Sequence, residues 1–319
     1  MLRSSLAATT LSFLTQTAGK QLLSEGEKFV MTLFDVVKFA DQGIYDVVNN
    51  LSSLAARFLL SPIEETSYQT FCKYIDRSRC ARDQEPGCLA KAGQLLASLV
   101  RGVSLVGALI FVFGFNFAHL SLLIYAGADF AAAAGVLLRW QSLYILIIAI
   151  NGVTESFVVA CMHQRQLNTF NGFLALLSLI LVSASVLLTP RFSTLGFVIA
   201  NCIHMLFRIL HSCHFISKYF QQSVEADSRF RLRSCVPDPL VLASLALAFA
   251  LLRGSEEMFC CSSLTGAVTH VALGSCLLLL LTCLVHHRER ALVRFFADTL
   301  SSKSSLPAAA NDSDREKRD

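Results

Sequence analysis

The chain has 319 residues, 54% of them apolar and only 16% charged, with a formal net charge of +4 and a mean hydropathy of +0.56. Soluble domains carry roughly a quarter charged residues, so this composition excludes a soluble globular domain and identifies a polytopic membrane protein. The basic excess is small and gathers at particular loops, which bears on orientation in a bilayer and gives no footing for a nucleic-acid partner.

Eight spans are predicted from hydropathy and helical periodicity. The first covers residues 9–37 and is interrupted by the charged run SEGEK at 24–28. Thr17, Ser24, Glu27 and Met31 repeat at helical spacing, with Lys20 on the same side. They form a polar stripe in which Gly26 is a candidate flex point. A surface amphipathic helix is the alternative reading of this segment.

The second span, residues 41–68, is the most informative. Asp46, Asn49, Asn50, Ser53, Arg57, Ser61 and Glu64 fall on one side of a helix turning about 100° per residue. The opposite face carries Ile44, Val47, Val48, Leu51, Ala55, Phe58 and Leu59. Ionised groups facing lipid are costly, so the stripe requires water or protein along it. It reads either as one wall of a hydrophilic cavity or as a buried helix contact with paired charges. Pro62 lacks a backbone N–H and predicts a kink beside Glu64.

A hydrophilic loop follows, with Pro86 and Gly87 as turn signals. The third span is predicted over 95–115, with Arg101 able to snorkel, and a short amphipathic piece over 117–125. The fourth, 136–162, places Gln141, Tyr144, Asn151 and Glu155 on one side. The fifth, 170–189, stops at Pro190. The sixth, 195–216, carries Asn201, His204, Arg208 and His211 at helical spacing. A basic loop (221–237) leads to a short seventh span over 240–252 and an eighth over 264–285. An amphipathic piece over 291–300 and a polar, disordered end are expected to close the chain.

The loop charges test this count. With eight spans, eighteen basic residues fall on the side of both termini, against Lys38, Arg139, Arg191 and Arg253 on the other. By the positive-inside rule both termini are expected in the cytosol.

Motifs for soluble chemistry are missing. There is no P-loop, glycine-rich strand–helix turn or serine elbow. Eleven cysteines show no metal-binding spacing, and most sit in apolar runs as small apolar residues. Cys260 and Cys261 are the one pair placed for oxidation. His204, His211 and His214 line up loosely as metal ligands, but no acidic or thiol partner stands at fitting spacing, so no metal or other cofactor is implied. Glu256 and Glu257 read as solvated loop charges rather than as an enzyme's base or metal ligands.

The segments SEGEKFVM, ADQGIYDVVNNL, ARFLLSPIEETSY, INGVTESF and GFVIANCIHMLFRI resemble the C-terminal half of the eukaryotic endoplasmic-reticulum proteins of the Rft type. The resemblance runs from about residue 11 to residue 300. It implies an all-α exporter-type fold in which two helical lobes enclose a cavity that opens alternately to either side. Residues 9–220 would be the second lobe, 221–237 a cytosolic loop, 238–286 two additional spans and 287–319 a cytosolic tail. The first lobe would come from a longer form of the protein or from another chain.

The implied role is movement of dolichyl-diphosphate oligosaccharide from the cytosolic to the lumenal leaflet of the endoplasmic reticulum. Arg57, Arg208 and Lys28 suit the diphosphate. Asp46, Asn49, Asn50, Glu64, Asn151 and Glu155 suit sugar hydroxyls, the polyprenyl tail remains among membrane lipids, and Gly26 and Pro62 are hinge candidates. Internal salt bridges, Arg57 with Glu64 or Arg208 with Glu155, are the competing explanation for the charges. A glycolipid-binding protein that does not transport, and a truncated form without function, are the competing explanations for the chain. An enzyme is disfavoured because no catalytic constellation is present.

Overall fold

The computed structural model describes residues 38–85, 87–222, 232–259 and 263–290, which form an all-α protein. The first predicted span, with Gly26 and Lys28, the Cys260–Cys261 pair and the tail piece beyond residue 290 lie outside the described residues.

The described chain opens on one long rod. Helix α1 (Phe39–Ala55) passes through a π-helical turn (Ala56–Leu60) into α2 (Ser61–Tyr74). Two longer helices follow, α3 (Cys88–Ala126) and α4 (Ala128–Cys161). Then come α5 (Gln164–Phe192), α6 (Leu195–Gln221), α7 (Pro239–Phe259) and α8 (Leu264–Arg288). Helices α3 to α8 are each long and apolar enough to cross a membrane.

The irregularity in the rod has a local cause. The Ser61 N–H donates to the Ala56 carbonyl five residues back, and the Ser61 hydroxyl donates to the same oxygen at 3.3 Å. Pro62, next in line, has no N–H to continue the ladder. The expected kink is therefore a widened turn of i→i+5 bonds one turn before the proline, and Arg57 lies inside it.

Three other expectations are corrected. The third span and its amphipathic extension are one helix, because nothing between Phe115 and Phe117 interrupts the backbone ladder. Pro190 does not end the fifth span; it sits in the last turn, where one missing bond is tolerated, and α5 runs on to Phe192. The seventh span is 21 residues long rather than short, because Arg253, Ser255 and Glu256 remain helical.

Helix α4 is the hub, packing against α1, α2, α3 and α6. Its pairing with α3 is close: a Cβ on Gly107 would lie 2.9 Å from Leu146 Cδ1 and 3.1 Å from Leu146 Cα. Gly127, at φ 89°, joins the two helices in a backbone conformation that side chains disfavour. One apolar core gathers Phe71, Leu96, Val103, Phe157 and Ile216 at one end of the bundle, and a second gathers Tyr45, Val48, Leu122 and Phe197 nearer the other. The α7–α8 hairpin docks on the far side of α3 through Leu105, Val112, Val241, Leu245 and Leu281. Exposed leucines on α5 and α8, among them Leu179, Leu187, Leu279 and Leu280, suit contact with lipid.

Two ion clusters fasten the periphery. Glu256 is buried and meets both Arg139 and Arg253, so it is not a solvated loop charge. Burial there is tolerable because two guanidiniums share the carboxylate. Arg101 does not snorkel freely: it pairs with Glu289 at 3.1 Å and donates to the Ser234 carbonyl at 2.6 Å.

A polar groove along the α1–α2 rod

Periodicity decides which side of the rod is covered. Tyr45, Val48 and Ser52 recur at helical spacing and are buried, and α1 packs on α4. Asp46, Asn50 and Arg57 consequently point away from the bundle and are exposed. Phe58, at 75% exposure, flanks the stripe as its apolar border. Asn49 is half-buried, and its side-chain carbonyl accepts from Gln141 Nε2 at 3.0 Å. That bond ties the stripe to α4.

Lower on the rod, α2 brings Glu64 against α4. The Glu64 carboxylate lies over Gly152: a Cβ there would come within 2.8 Å of Glu64 Oε2. The Ser156 hydroxyl reaches the Glu64 backbone carbonyl at 3.3 Å. One turn along α4, Glu155 accepts from Asn151 Nδ2 at 2.9 Å and from Arg208 Nη2 of α6 at 2.7 and 2.6 Å. His204 lies within electrostatic reach of that pair. Asn151 Oδ1, Arg208 Nε and His204 Nε2 are buried without a partner among the described residues, so the cluster keeps hydrogen-bonding capacity that those residues do not use. A groove of about 480 Å³ runs beside it, bordered by Ser61, Glu64, Glu65, Tyr68, Glu155 and Ser156.

The structure thus brings Glu64, Asn151, Glu155 and Arg208 together. Of the two salt bridges weighed from the sequence, Arg208 with Glu155 forms. Arg57 with Glu64 does not, and among the described residues no carboxylate lies within salt-bridge distance of Arg57. Asp46 and Asn50 stand apart from the groove: Asn50 is fourteen residues from Glu64, or about 21 Å along the rod. Sequence reasoning missed Ser156 and Tyr68 as groove residues and Gly152 as the position under the Glu64 carboxylate. Tyr68 was within reach, since it follows Glu64 by one helical turn on the same side. His211, weighed as a metal ligand, is stacked on Phe170 and Phe173 with ring centroids 5.3 and 4.7 Å away.

Chemically, the stripe and groove offer a guanidinium with no carboxylate partner among the described residues, together with amides and carboxylates, to one side of the bundle. That set suits a polyhydroxylated ligand carrying phosphate.

A family model described as Rft protein matches residues 1–299. The "Man(5)GlcNAc(2)-PP-dolichol translocation protein RFT1" of Xenopus tropicalis is 38% identical over 295 residues, which is 92% of this chain and 54% of the relative. The mouse protein of the same name is 38% identical over 271 residues, covering 84% of this chain and 49% of the relative. The Drosophila melanogaster protein is 39% identical over 218 residues, covering 68% and 39%. The chain spans about half the length of the curated relatives it matches. No solved structure matches it.

Proposed function

The chain belongs to the Rft protein family, and on that premise we propose that it forms one wall of the path by which a polyprenyl-diphosphate oligosaccharide crosses the endoplasmic-reticulum membrane. Its relatives are named for translocating Man(5)GlcNAc(2)-PP-dolichol. The observation that carries the reading is Arg57, an exposed guanidinium on a polar stripe with no carboxylate partner among the described residues. A cation placed among membrane-spanning helices needs an anion or water, and a diphosphate supplies the anion.

In this account Arg57 binds the diphosphate, and Lys28 lies upstream as a further cation. Asp46, Asn49, Asn50 and Glu64 contact sugar hydroxyls. Asn151, Glu155 and Arg208 are the polar floor between α4 and α6, where Arg208 is neutralised by Glu155 and acts through that pair rather than as a free cation. The π turn before Pro62, with Gly26 beyond the described residues, supplies the flexibility for alternating exposure. The exposed side of the stripe faces the remaining half of the pathway, contributed by a longer form or another chain. Both termini are cytosolic, the tail of the glycolipid stays in the bilayer, and no cofactor takes part.

The test is reconstitution of this chain, and of a full-length relative, into liposomes with a radiolabelled dolichyl-diphosphate oligosaccharide. Movement that needs the full-length protein, together with glycolipid binding by both, supports the reading. Binding by both with movement by neither favours a carrier that presents the glycolipid. Absence of binding by either contradicts the proposal.

A further inference from the structure

A second groove, of about 550 Å³, opens where the ends of α2, α3 and α4 meet. Tyr68 borders both this groove and the inner one beside Glu64. Three cations line it, Lys73, Arg77 and Arg79, against the carboxylates of Asp76 and Glu85.

Their partners differ in a way that matters. Arg79 meets Asp76 at 3.3 Å. Asp76 is also engaged by Ser78, through its hydroxyl at 2.6 Å and its backbone N–H at 2.9 Å. Those hydrogen bonds, followed by the Arg79 charge, hold the Asp76 carboxyl below its ordinary value. Asp76 is therefore ionised and already occupied. Glu85 is reached by the Cys88 thiol at 3.9 Å. Arg77 is bound instead by two neutral acceptors, the Tyr68 hydroxyl at 2.8 Å and the Val159 carbonyl at 3.0 Å, both through Nη2. Arg101, Arg139, Arg208 and Arg253 each meet a carboxylate; among the described residues Arg77 meets none.

The Val159 carbonyl belongs to the last turn of α4, so Arg77 closes that helix end and is held rigidly by it. Its Nη1 and Nε have no protein partner among the described residues, and each keeps N–H hydrogens to donate singly to a phosphate oxygen. The Tyr68 hydroxyl, which accepts from Arg77, keeps its own hydrogen to donate. Lys73, exposed in the final turn of α2, adds a mobile charge without a partner among the described residues.

We propose that this outer groove is a docking site for the diphosphate of a polyprenyl lipid at the bilayer surface, with Arg77 and Tyr68 as its fixed donors and Lys73 as its mobile cation. The inference rests on the glycolipid reading above and adds a station ahead of Arg57. The carboxylates of Glu64 and Glu65 in the inner groove disfavour a diphosphate there, so the headgroup is held at the mouth. A planar guanidinium already fixed through Nη2 loses little freedom on binding.

The experiment uses the 319-residue chain in neutral-lipid nanodiscs and measures binding of geranylgeranyl diphosphate, with geranylgeraniol and inorganic diphosphate as separate arms. Wild type is expected to bind the diphosphate lipid, to ignore the alcohol, and to bind inorganic diphosphate more weakly. Arg77→Gln with Lys73→Gln is expected to weaken lipid binding about tenfold, the loss of charge-assisted contacts. Lys73→Gln alone makes no intramolecular contact, so it keeps the fold intact, and about a threefold loss is expected. If lipid binding is unchanged in both Lys73→Gln and the double variant, the outer site is wrong while the Arg57 reading stands. If wild type binds no diphosphate lipid at all, both fail. Equal affinity for inorganic diphosphate would overturn the lipid assignment and leave a free-phosphate site.

Discussion

Replacing Arg208 with Met tests whether the α4–α6 contact depends on its ion pair. Arg208 Nη2 meets both oxygens of Glu155 at 2.7 and 2.6 Å, and the two side chains are 20% and 15% exposed. Removing one partner of a buried pair costs about 3–5 kcal/mol. Residual exposure and the Asn151 donor, 2.9 Å from Glu155, place this case at about 3 kcal/mol. At roughly 2–4 °C per kcal/mol, the melting temperature of the purified protein in nanodiscs should fall by about 6–12 °C. Arg208→Met combined with Glu155→Gln removes both charges and keeps an acceptor for Asn151. That variant should recover to within about 1 kcal/mol of wild type, so the coupling energy is about 2 kcal/mol plus whatever Glu155→Gln costs alone. If the two changes prove additive, the pair does not hold α6 to α4 and the reasoning is wrong.

Further outcomes follow from the packing. Gly107→Ala should cost about 1–3 kcal/mol, because its Cβ meets the Leu146 backbone and α3 and α4 must separate. Gly152→Ala should leave thermal stability nearly unchanged, since the atom it meets is the movable end of Glu64, while altering glycolipid binding in the same preparation. His270 is fully buried, 3.0 Å from the Ser255 hydroxyl and in tilted ring contact with Phe117, so His270→Ala should destabilise by about 2–4 kcal/mol in denaturant titrations. Single cysteines at Asn50 and Arg57, after removal of native thiols, should react with a membrane-impermeant maleimide. One at Phe58, exposed to lipid rather than water, and one at Val48, buried, should resist; equal labelling of all four would mean that the stripe meets no water.

Much of the site was legible because polar residues inside apolar helices are conspicuous. Asn151, Glu155 and Arg208 stood out by type and spacing alone, as did the Asp46-to-Glu64 stripe. What periodicity could not supply was pairing between helices. The same stripe pattern was compatible with Arg57 facing Glu64, and only the fold gives Glu155 to Arg208 while Glu64 turns onto Gly152. Gly152 carried no signal, since its function is to lack a side chain opposite a residue on another helix. Glu256 looked solvated because its charge sits near a predicted loop, whereas α7 runs on and buries it between Arg139 and Arg253. Helix limits shifted for a similar reason. Hydropathy locates the bilayer-crossing part, but backbone hydrogen bonding carries α3 and α7 past it and α5 through Pro190.

The central claim, that the α1 stripe meets the diphosphate of a glycolipid through Arg57, is tested most directly by glycosylation in cells that depend on the variant protein in its full-length form at matched expression. Arg57→Ala should insert and accumulate yet impair N-glycosylation, and Arg57→Lys, which keeps the charge without the planar two-pronged contact, should be partly active. Exchanging Arg57 and Glu64 should stay inactive, because the two do not pair. Normal glycosylation with Arg57→Ala would contradict the account.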